Sequence, residues 1–149
     1  MKSFNVYSLF FILLLTSTDF ALSADISVIV NSKNSISSIT TVELNDFFIK
    51  KNRSWSDGEP VRFFDHREES ANKKLFLKKF IRKTSREIEL YWIGEKIYTG
   101  NIAPIQVTSD SMMAAMVTRF KGGIGYVSGQ FSIPKTVKRL TVVESIKKE

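Results

Sequence analysis

The sequence predicts an α/β fold in which a mainly parallel sheet is flanked by helices. Short runs of β-branched and aromatic residues alternate with longer segments whose apolar residues recur every three or four positions, which is the order that strand–helix–strand units produce. Two Thr-x-x-Glu motifs, at 40–43 and 84–87, precede such segments and match the capping box that begins a helix. With 149 residues and no internal repeat or linker, the chain is expected to form a single domain.

Two strands and two helices are predicted in the first half of the chain. Residues 26–30 are apolar and mostly β-branched, which predicts a strand buried on both faces. The first capping box predicts a helix over 41–50, and an Asp-Gly pair ends the loop that follows it. A second strand is predicted over 61–65. A second helix is predicted over 70–82, because the apolar residues of this segment share one side.

The second half of the chain continues the alternation. The second capping box begins a helix that carries aromatic residues inward, and a connector over 101–106 follows it. Ser109 is expected to cap a fourth helix, whose methionines fill the core and which two glycines end. Two further strands are predicted over 124–127 and 137–143.

Residues 1–24 predict a secretory signal peptide, and residues 25–149 the folded domain. A positive charge, an apolar run over 9–15 and small residues before the expected cut follow the order of such a peptide. The apolar run is shorter than the roughly 20 residues that span a bilayer. We expect cleavage after Ala24, with cleavage after Ser23 or an uncleaved anchor as alternatives. The protein is therefore expected in a bacterial periplasm, without stable membrane insertion after cleavage.

The composition excludes several functional classes. Cysteine is absent, which rules out a disulfide scaffold, a thiolate metal site and a cysteine nucleophile. His66 is the only histidine, and it is expected to be a surface or turn residue rather than a base. No phosphate loop, dinucleotide motif or nucleophile elbow is present, so we expect no enzyme, no cofactor and no metal. The net charge of +7 favours an anionic partner, whereas predicted export argues against nucleic acid.

The junction after the second predicted strand is the candidate anion site. Ligands of open α/β sheets bind where strands end, and the start of a helix offers free N–H groups to an anion. Ser70 adds a hydroxyl donor and Arg67 a guanidinium fork that suits a tetrahedral oxyanion. The alternative is that Ser70 is only a helix cap and Arg67 only a solvated charge.

Two further features admit two interpretations each. Ser37 and Ser38 precede the first helix, where their hydroxyls suit either an oxyanion or an ordinary turn. The second helix is basic on its expected outer side, which suits either an anionic partner or a solvated face. Its cations are Lys73, Lys74, Lys78, Lys79, Arg82 and Lys83.

Seven segments occur in an order that one family shares. They are ISVIVN at 26–31, TVELNDFFIK at 41–50, KNRSWSDG at 51–58, PVRFFD at 60–65, ESANKKLF at 69–76, YWIGEKIYTG at 91–100 and KGGIGYV at 121–127. Together they cover essentially the whole predicted domain. The chain resembles the phosphate-binding-protein-like family of the type 2 periplasmic binding protein superfamily, the substrate-binding components of phosphate ABC transporters. It is most similar to the short members, so the resemblance implies a single lobe of that fold.

The resemblance implies binding of phosphate by hydroxyls, helix-start amides, an arginine and an aspartate. The positions it implies are Ser70 with Arg67 and Asp65, Ser37 and Ser38, and Thr99 and Gly100. The chain departs from the family at the loop before the helix, where Gly-Ser-Gly-Thr is replaced by Glu-Glu-Ser-Ala at 68–71. Losing both glycines removes the close backbone approach that an anion needs. The predicted domain also has about half the length of a full receptor.

Two functions follow from these observations. The first is an exported solute-binding protein that binds phosphate or a related oxyanion without catalysis, for ABC-type uptake with an ABC permease as partner. The alternative is an interaction module that has lost its ligand and docks onto an envelope complex or sensor. The missing glycines and the basic helix favour the alternative, whereas the serine at the strand-to-helix junction favours the first.

Overall fold

The computed structural model describes residues 24–145, so the predicted signal peptide lies outside the described residues except for Ala24. The strands are β1 (Ile26–Asn31), β2 (Ser38–Thr40), β3 (Arg62–His66), β4 (Ile105–Val107), β5 (Gly123–Ser128), β6 (Val137–Arg139) and β7 (Thr141–Val143). The helices are α1 (Thr41–Phe48), α2 (Ala71–Phe76), α3 (Ser85–Tyr98) and α4 (Asp110–Arg119). A π-helical turn, Leu77–Ile81, continues α2.

The central sheet is mainly parallel, as predicted. Its strand order is β4-β3-β5-β1-β6, and β3 pairs in parallel with both β4 and β5. β1 pairs antiparallel with β5 and β6, so it alone of the five strands in this sheet runs in the opposite direction. The predicted burial of β1 on both faces is confirmed, and it follows from its place between two neighbours. β2 and β7 form a separate parallel pair.

The predicted helix starts are confirmed by their caps. Thr40 and Thr84 each accept a hydrogen bond from the third helical N–H, and the glutamate at that position bonds back to the cap N–H. Ser109 caps α4 through a hydrogen bond from Met112 N at 3.1 Å. These hydroxyl and carboxylate oxygens satisfy N–H groups that a helix start leaves without partners.

Three predicted elements differ from the structure. The connector predicted over 101–106 contains the start of β4, which pairs with β3 at the edge of the sheet. The single strand predicted over 137–143 is interrupted at Leu140, whose N–H donates to Val28 O at 2.9 Å, so that β6 and β7 enter different sheets. The strand β2 was not expected. All four strands involved are only three residues long, which is too short for a periodic pattern.

The core lies on both faces of the central sheet. On one face, α1 and α2 pack around Phe76, whose ring stacks on Tyr126 with centroids 4.0 Å apart. On the other face, α4 contributes Met113 and Val117, both fully buried. The expected core role of the methionines is confirmed for Met113, whereas Met112 is exposed. None of the helices between residues 24 and 145 is long and apolar enough to cross a membrane.

A buried amide joins β1 to the end of α4. Asn31 is 5% exposed, and its Nδ2 lies 3.2, 3.0 and 3.0 Å from the carbonyl oxygens of Val117, Thr118 and Phe120. These carbonyls belong to the last turn of a helix and its flank, where intrahelical partners run out. The Asn31 amide therefore bonds to the end of α4, although Asn31 precedes Phe120 by 89 positions in the chain.

Candidate functional site

The β3–α2 junction brings the predicted residues Asp65, Arg67 and Ser70 onto one short segment. Asp65 is buried at the end of β3, Arg67 is exposed in the turn, and Ser70 is the half-buried residue before α2. Ser70 N donates to Arg67 O at 3.0 Å, but the Ser70 hydroxyl makes no capping hydrogen bond. The Ser70 hydroxyl therefore has no role in capping α2 and is available as a donor.

A buried lysine lies beneath this junction. Lys73 is 1% exposed, and its Nζ contacts Asp65 Oδ2 at 2.9 Å and a carboxylate oxygen of Glu68. The expectation that Lys73 belongs to the exposed basic side is wrong. Lys73 precedes Phe76 and Leu77 by three and four positions, so helix geometry places it on the same buried side as these two residues.

The charge of Lys73 is stabilised by its partners. Burial alone would lower the pKa of Lys73, but the charges and hydrogen bonds of Asp65 and Glu68 outweigh burial and raise this pKa above its ordinary value. The Glu68 side chain is 47% exposed, whereas those of Lys73 and Asp65 are 2% and 3% exposed. Of the three charged groups, only the Glu68 carboxylate therefore reaches solvent to a large extent.

Asp65 has partners for both carboxylate oxygens. Oδ1 accepts hydrogen bonds from the Tyr126 hydroxyl and from His66 N, the latter at 2.9 Å, while Oδ2 contacts Lys73. Burial first, and then the charge of Asp65, raise the pKa of Tyr126, so its hydroxyl stays protonated as a donor. Asp65 therefore works within the protein's own network, and its carboxylate is not a free acceptor for a ligand.

His66 is buried rather than a surface or turn residue, which corrects the prediction. It is 2% exposed, and its Nε2 lies 3.0 Å from Tyr126 O and 3.4 Å from Asp110 Oδ1. A carbonyl oxygen only accepts, so Nε2 carries a proton and donates. Asp110 also accepts from Asn72 Nδ2 at 2.7 Å. His66 thus links β3, β5 and α4, and this role explains its burial without any chemistry.

Ser37 and Ser38 lie beside the small second sheet. Ser37 O accepts from Thr141 N at 3.0 Å, and Ser38 is aligned with Thr141 in the β2–β7 pair. Both serines are exposed. Among residues 24–145, no hydrogen bond joins either serine to the β3–α2 junction, so a ligand role for them stays a prediction.

Thr99 and Gly100 follow α3. The Thr99 hydroxyl donates to Glu95 O at 2.8 Å, and Gly100 has a φ of +75°, which favours glycine. Gly100 lines an open cavity together with Val61 and Arg62, which lie at the start of β3. The junction with Ser70 follows the other end of β3. The structure therefore does not bring Gly100 together with Ser70, and the ligand role of Thr99 and Gly100 stays a prediction.

Asp65, His66, Lys73, Tyr126 and Asp110 form a buried polar network. The sequence analysis did not predict three of these residues as members. It places Lys73 on the outer side of the helix, and it singles out neither Tyr126 nor Asp110. The spacing of Lys73 from Phe76 was a usable signal, since both fall on one helical stripe. Tyr126 and Asp110 carried no comparable signal, because their partners come from distant parts of the chain.

Solved structures of phosphate receptors share this fold. An ABC-type phosphate transport receptor from Vibrio cholerae superposes with a TM-score of 0.62 and 18% identity over 80% of this chain and 46% of its own. A putative phosphate ABC transporter substrate-binding protein from Clostridium perfringens, with bound phosphate, gives 0.64 and 15% over 80% and 45%. PstS from Borrelia burgdorferi gives 0.63 and 17% over 80% and 47%. No family model and no curated protein matches the sequence.

These likenesses confirm the predicted fold. The mixed sheet flanked by helices is that of the phosphate receptors, and this chain spans slightly less than half of their length. At 15–18% identity the likeness speaks for the architecture and not for any individual residue.

Proposed function

We propose that this chain is a solute-binding lobe that recognises an oxyanion, with phosphate preferred, at the β3–α2 junction. The fold likeness to phosphate receptors supports the class of function. The observation that carries the proposal is the contact between Lys73 and Glu68. Glu68 places a half-exposed carboxylate on a buried ammonium group, so an oxyanion already occupies this position. A free oxyanion can take that position when Glu68 turns outward.

The other residues of the junction then have simple roles. Arg67 is exposed, and it supplies a planar pair of donors for two oxygens of the anion. The uncapped Ser70 hydroxyl supplies a third donor. Asp65 keeps Lys73 charged and in place rather than binding the anion itself. Binding is non-covalent, since no nucleophile and base are paired in this arrangement.

The same proposal extends to location and partners. Removal of the predicted signal peptide would release the domain into the periplasm, where an ABC permease of the envelope would be the partner for uptake. The likeness to ABC-type phosphate receptors supports this kind of partner. Ser37, Ser38, Thr99 and Gly100 are candidates for contacts outside the junction.

Calorimetric titration tests the proposal. Residues 25–149, dialysed exhaustively, are titrated with phosphate and then with sulfate. Replacing Ser70→Ala together with Arg67→Ala removes two donors, so we expect phosphate affinity to fall by about 100-fold, at roughly tenfold for each charge-assisted bond. Lys33→Ala, which removes an exposed cation elsewhere, is the control. A folded protein that gives no heat with either anion would exclude an oxyanion receptor.

The second candidate is an interaction module that docks onto an envelope protein. A specific observation favours it: Leu90, Ile93 and Ile97 of α3 are 52%, 48% and 71% exposed, and they share one side of the helix. The exposed cations of α2 and its π-helical turn add a charged surface. Lys74→Glu with Lys78→Glu distinguishes the two functions, because it should abolish partner capture and leave phosphate affinity nearly unchanged.

A further inference from the structure

Three cations converge on an open cavity at the start of β3. Lys50, Arg53 and Arg62 line a space of about 390 Å³, at the end of β3 opposite the β3–α2 junction. Within residues 24–145, none of the three forms an ion pair with a carboxylate. The acidic group Glu95 reaches this cluster only through Asn101, whose Nδ2 lies 2.7 Å from Glu95 Oε2. The cavity therefore carries positive charge that its own wall leaves without a counterion.

Two of the three cations are held in place by hydrogen bonds to the chain. Lys50 Nζ donates to Ile102 O at 2.6 Å, and Arg53 Nη2 donates to Asn101 Oδ1 at 2.5 Å. Arg53 Nε also donates to Lys50 O at 3.3 Å. The backbone of Lys50 has a φ of +59°, a conformation that is costly for residues other than glycine. Lys50 directly follows the end of α1, where a residue of positive φ is common, and the hydrogen bonds hold Lys50 and Arg53 beside the cavity.

The electrostatics of the cluster favour an anion. Burial first, and then the charges of Arg53 and Arg62, lower the pKa of Lys50. Like charges within one wall repel one another, and an anion placed among them would relieve this repulsion. The same cluster would reject a cationic ligand for the same reason.

The floor of the cavity is apolar. Phe47 and Phe63 are buried beneath the cations, and Val61 lies half-buried beside them. A second cavity of about 200 Å³ shares Lys50, Arg62 and Phe63 with the first, and it is also lined by Phe64, Phe120 and the 102–105 segment. The first cavity alone has the size of a site for a small organic molecule, and such sites combine an apolar wall with a few polar anchors.

We propose that this basic cavity binds a small organic anion. Its phosphate or carboxylate head lies among Lys50, Arg53 and Arg62, and a compact apolar body of about the size of a phenyl ring lies against Phe47 and Phe63. The site is separate from the β3–α2 junction and does not depend on oxyanion binding there. An inorganic anion would use only the cationic rim, so the apolar body provides the selectivity.

Phenyl phosphate and inorganic phosphate are the probes that test this site. Tryptophan fluorescence is expected to change on binding, because the ring centroid of Trp55 lies 4.8 Å from that of the lining residue Phe47, and that of Trp92 lies 5.8 Å from Lys50 Nζ. We expect phenyl phosphate to bind at least tenfold more tightly than inorganic phosphate. Arg53→Gln with Arg62→Gln should weaken phenyl phosphate by roughly tenfold or more. If circular dichroism shows that this pair of changes disturbs the fold, the exposed Arg53→Gln alone should weaken it severalfold.

Two controls separate binding in this cavity from general charge attraction and from binding at the junction. Lys33→Gln with Lys135→Gln removes the same charge from exposed positions away from the cavity and should change phenyl phosphate affinity less than twofold. The cavity variant is also measured in a Ser70→Ala with Arg67→Ala background, in which the proposed junction site is disabled, and it should still weaken phenyl phosphate by roughly tenfold. The inference is overturned if the charge-matched control loses as much affinity as the cavity variant, or if neither probe binds at millimolar concentration.

Discussion

The carboxylate of Glu68 is predicted to compete with the oxyanion that the β3–α2 junction binds. Replacing Glu68→Gln keeps the size of the side chain and removes its charge. Lys73 retains its contact with Asp65 at 2.9 Å, so the buried ammonium stays paired and the fold is preserved. We therefore expect phosphate affinity to rise rather than fall, although the substitution removes a salt bridge.

The size of the gain follows from the exposure of Glu68. A charge-assisted hydrogen bond contributes about 1.5–3 kcal/mol when it is buried. The Glu68 side chain is 47% exposed, so solvent screening reduces its contribution to about 1 kcal/mol. Loss of like-charge repulsion with the incoming anion adds a similar amount at short range. Because 1.4 kcal/mol corresponds to a factor of ten, the two contributions together, about 2 kcal/mol, predict a gain in phosphate affinity of roughly 30-fold.

Calorimetry of wild type, Glu68→Gln and Glu69→Gln measures this effect. Glu69 is the matched control, because it is the exposed neighbour, carries the same charge and makes no ion pair among the described residues. If Glu69→Gln gives the same gain, the effect is general electrostatic attraction and not displacement of Glu68. If Glu68→Gln binds phosphate no better than wild type, the idea that Glu68 occupies the anion position is refuted.

Three further predictions concern stability. Lys73→Met should lower the free energy of unfolding by about 3–5 kcal/mol, because it leaves Asp65 buried without a counterion. In urea unfolding, adding Asp65→Asn should restore much of this loss. If the losses of the two single variants simply add in the double variant, the pairing of Lys73 with Asp65 is contradicted. The folded state raises the pKa values of Lys73 and Tyr126 above their unfolded values. The stability that these two groups provide is therefore present below about pH 10 and is lost as the pH rises further. The melting temperature should fall above about pH 10, and it should fall less steeply in Tyr126→Phe. Asn31→Ala should lower the free energy of unfolding by about 2 kcal/mol, because it removes the amide that bonds to the end of α4. Asn34→Ala, in the turn that follows, should lower it less. Equal losses in thermal unfolding would argue against the role of Asn31.

Local patterns predicted the elements whose signals lie within one segment. Both capping boxes and the Ser109 cap were correct, because a cap depends on residues only three positions apart. The direction of β1 was beyond such reasoning, since its partners β5 and β6 lie near the other end of the chain. The resemblance to phosphate-binding proteins supplied the architecture that periodicity alone left open.

The sequence predicted the strand-to-helix junction of the candidate site but not the contacts within it. The strand-to-helix junction at 65–70 follows from order along the chain, and Asp65 and Ser70 lie where expected. The buried contacts of Lys73 could not be derived, because they depend on which side of α2 meets the sheet. The convergence of Lys50, Arg53 and Arg62 could not be derived from the sequence either. These cations follow α1, lie in the next loop and begin β3, so they meet only in the folded protein.

The pairing of β1 with two strands from late in the chain delays folding. β1 is the first strand of residues 24–145, yet its neighbours in the sheet are β5 and β6, and the Asn31 amide donates to carbonyls 86–89 positions later. A nascent chain released only as far as β4 holds an apolar strand with neither neighbour available. Folding must therefore wait until nearly the whole domain has emerged, and such long-range closure is slow. The apolar side chains of β1 therefore stay without their partners in the sheet until β5 and β6 have been synthesised.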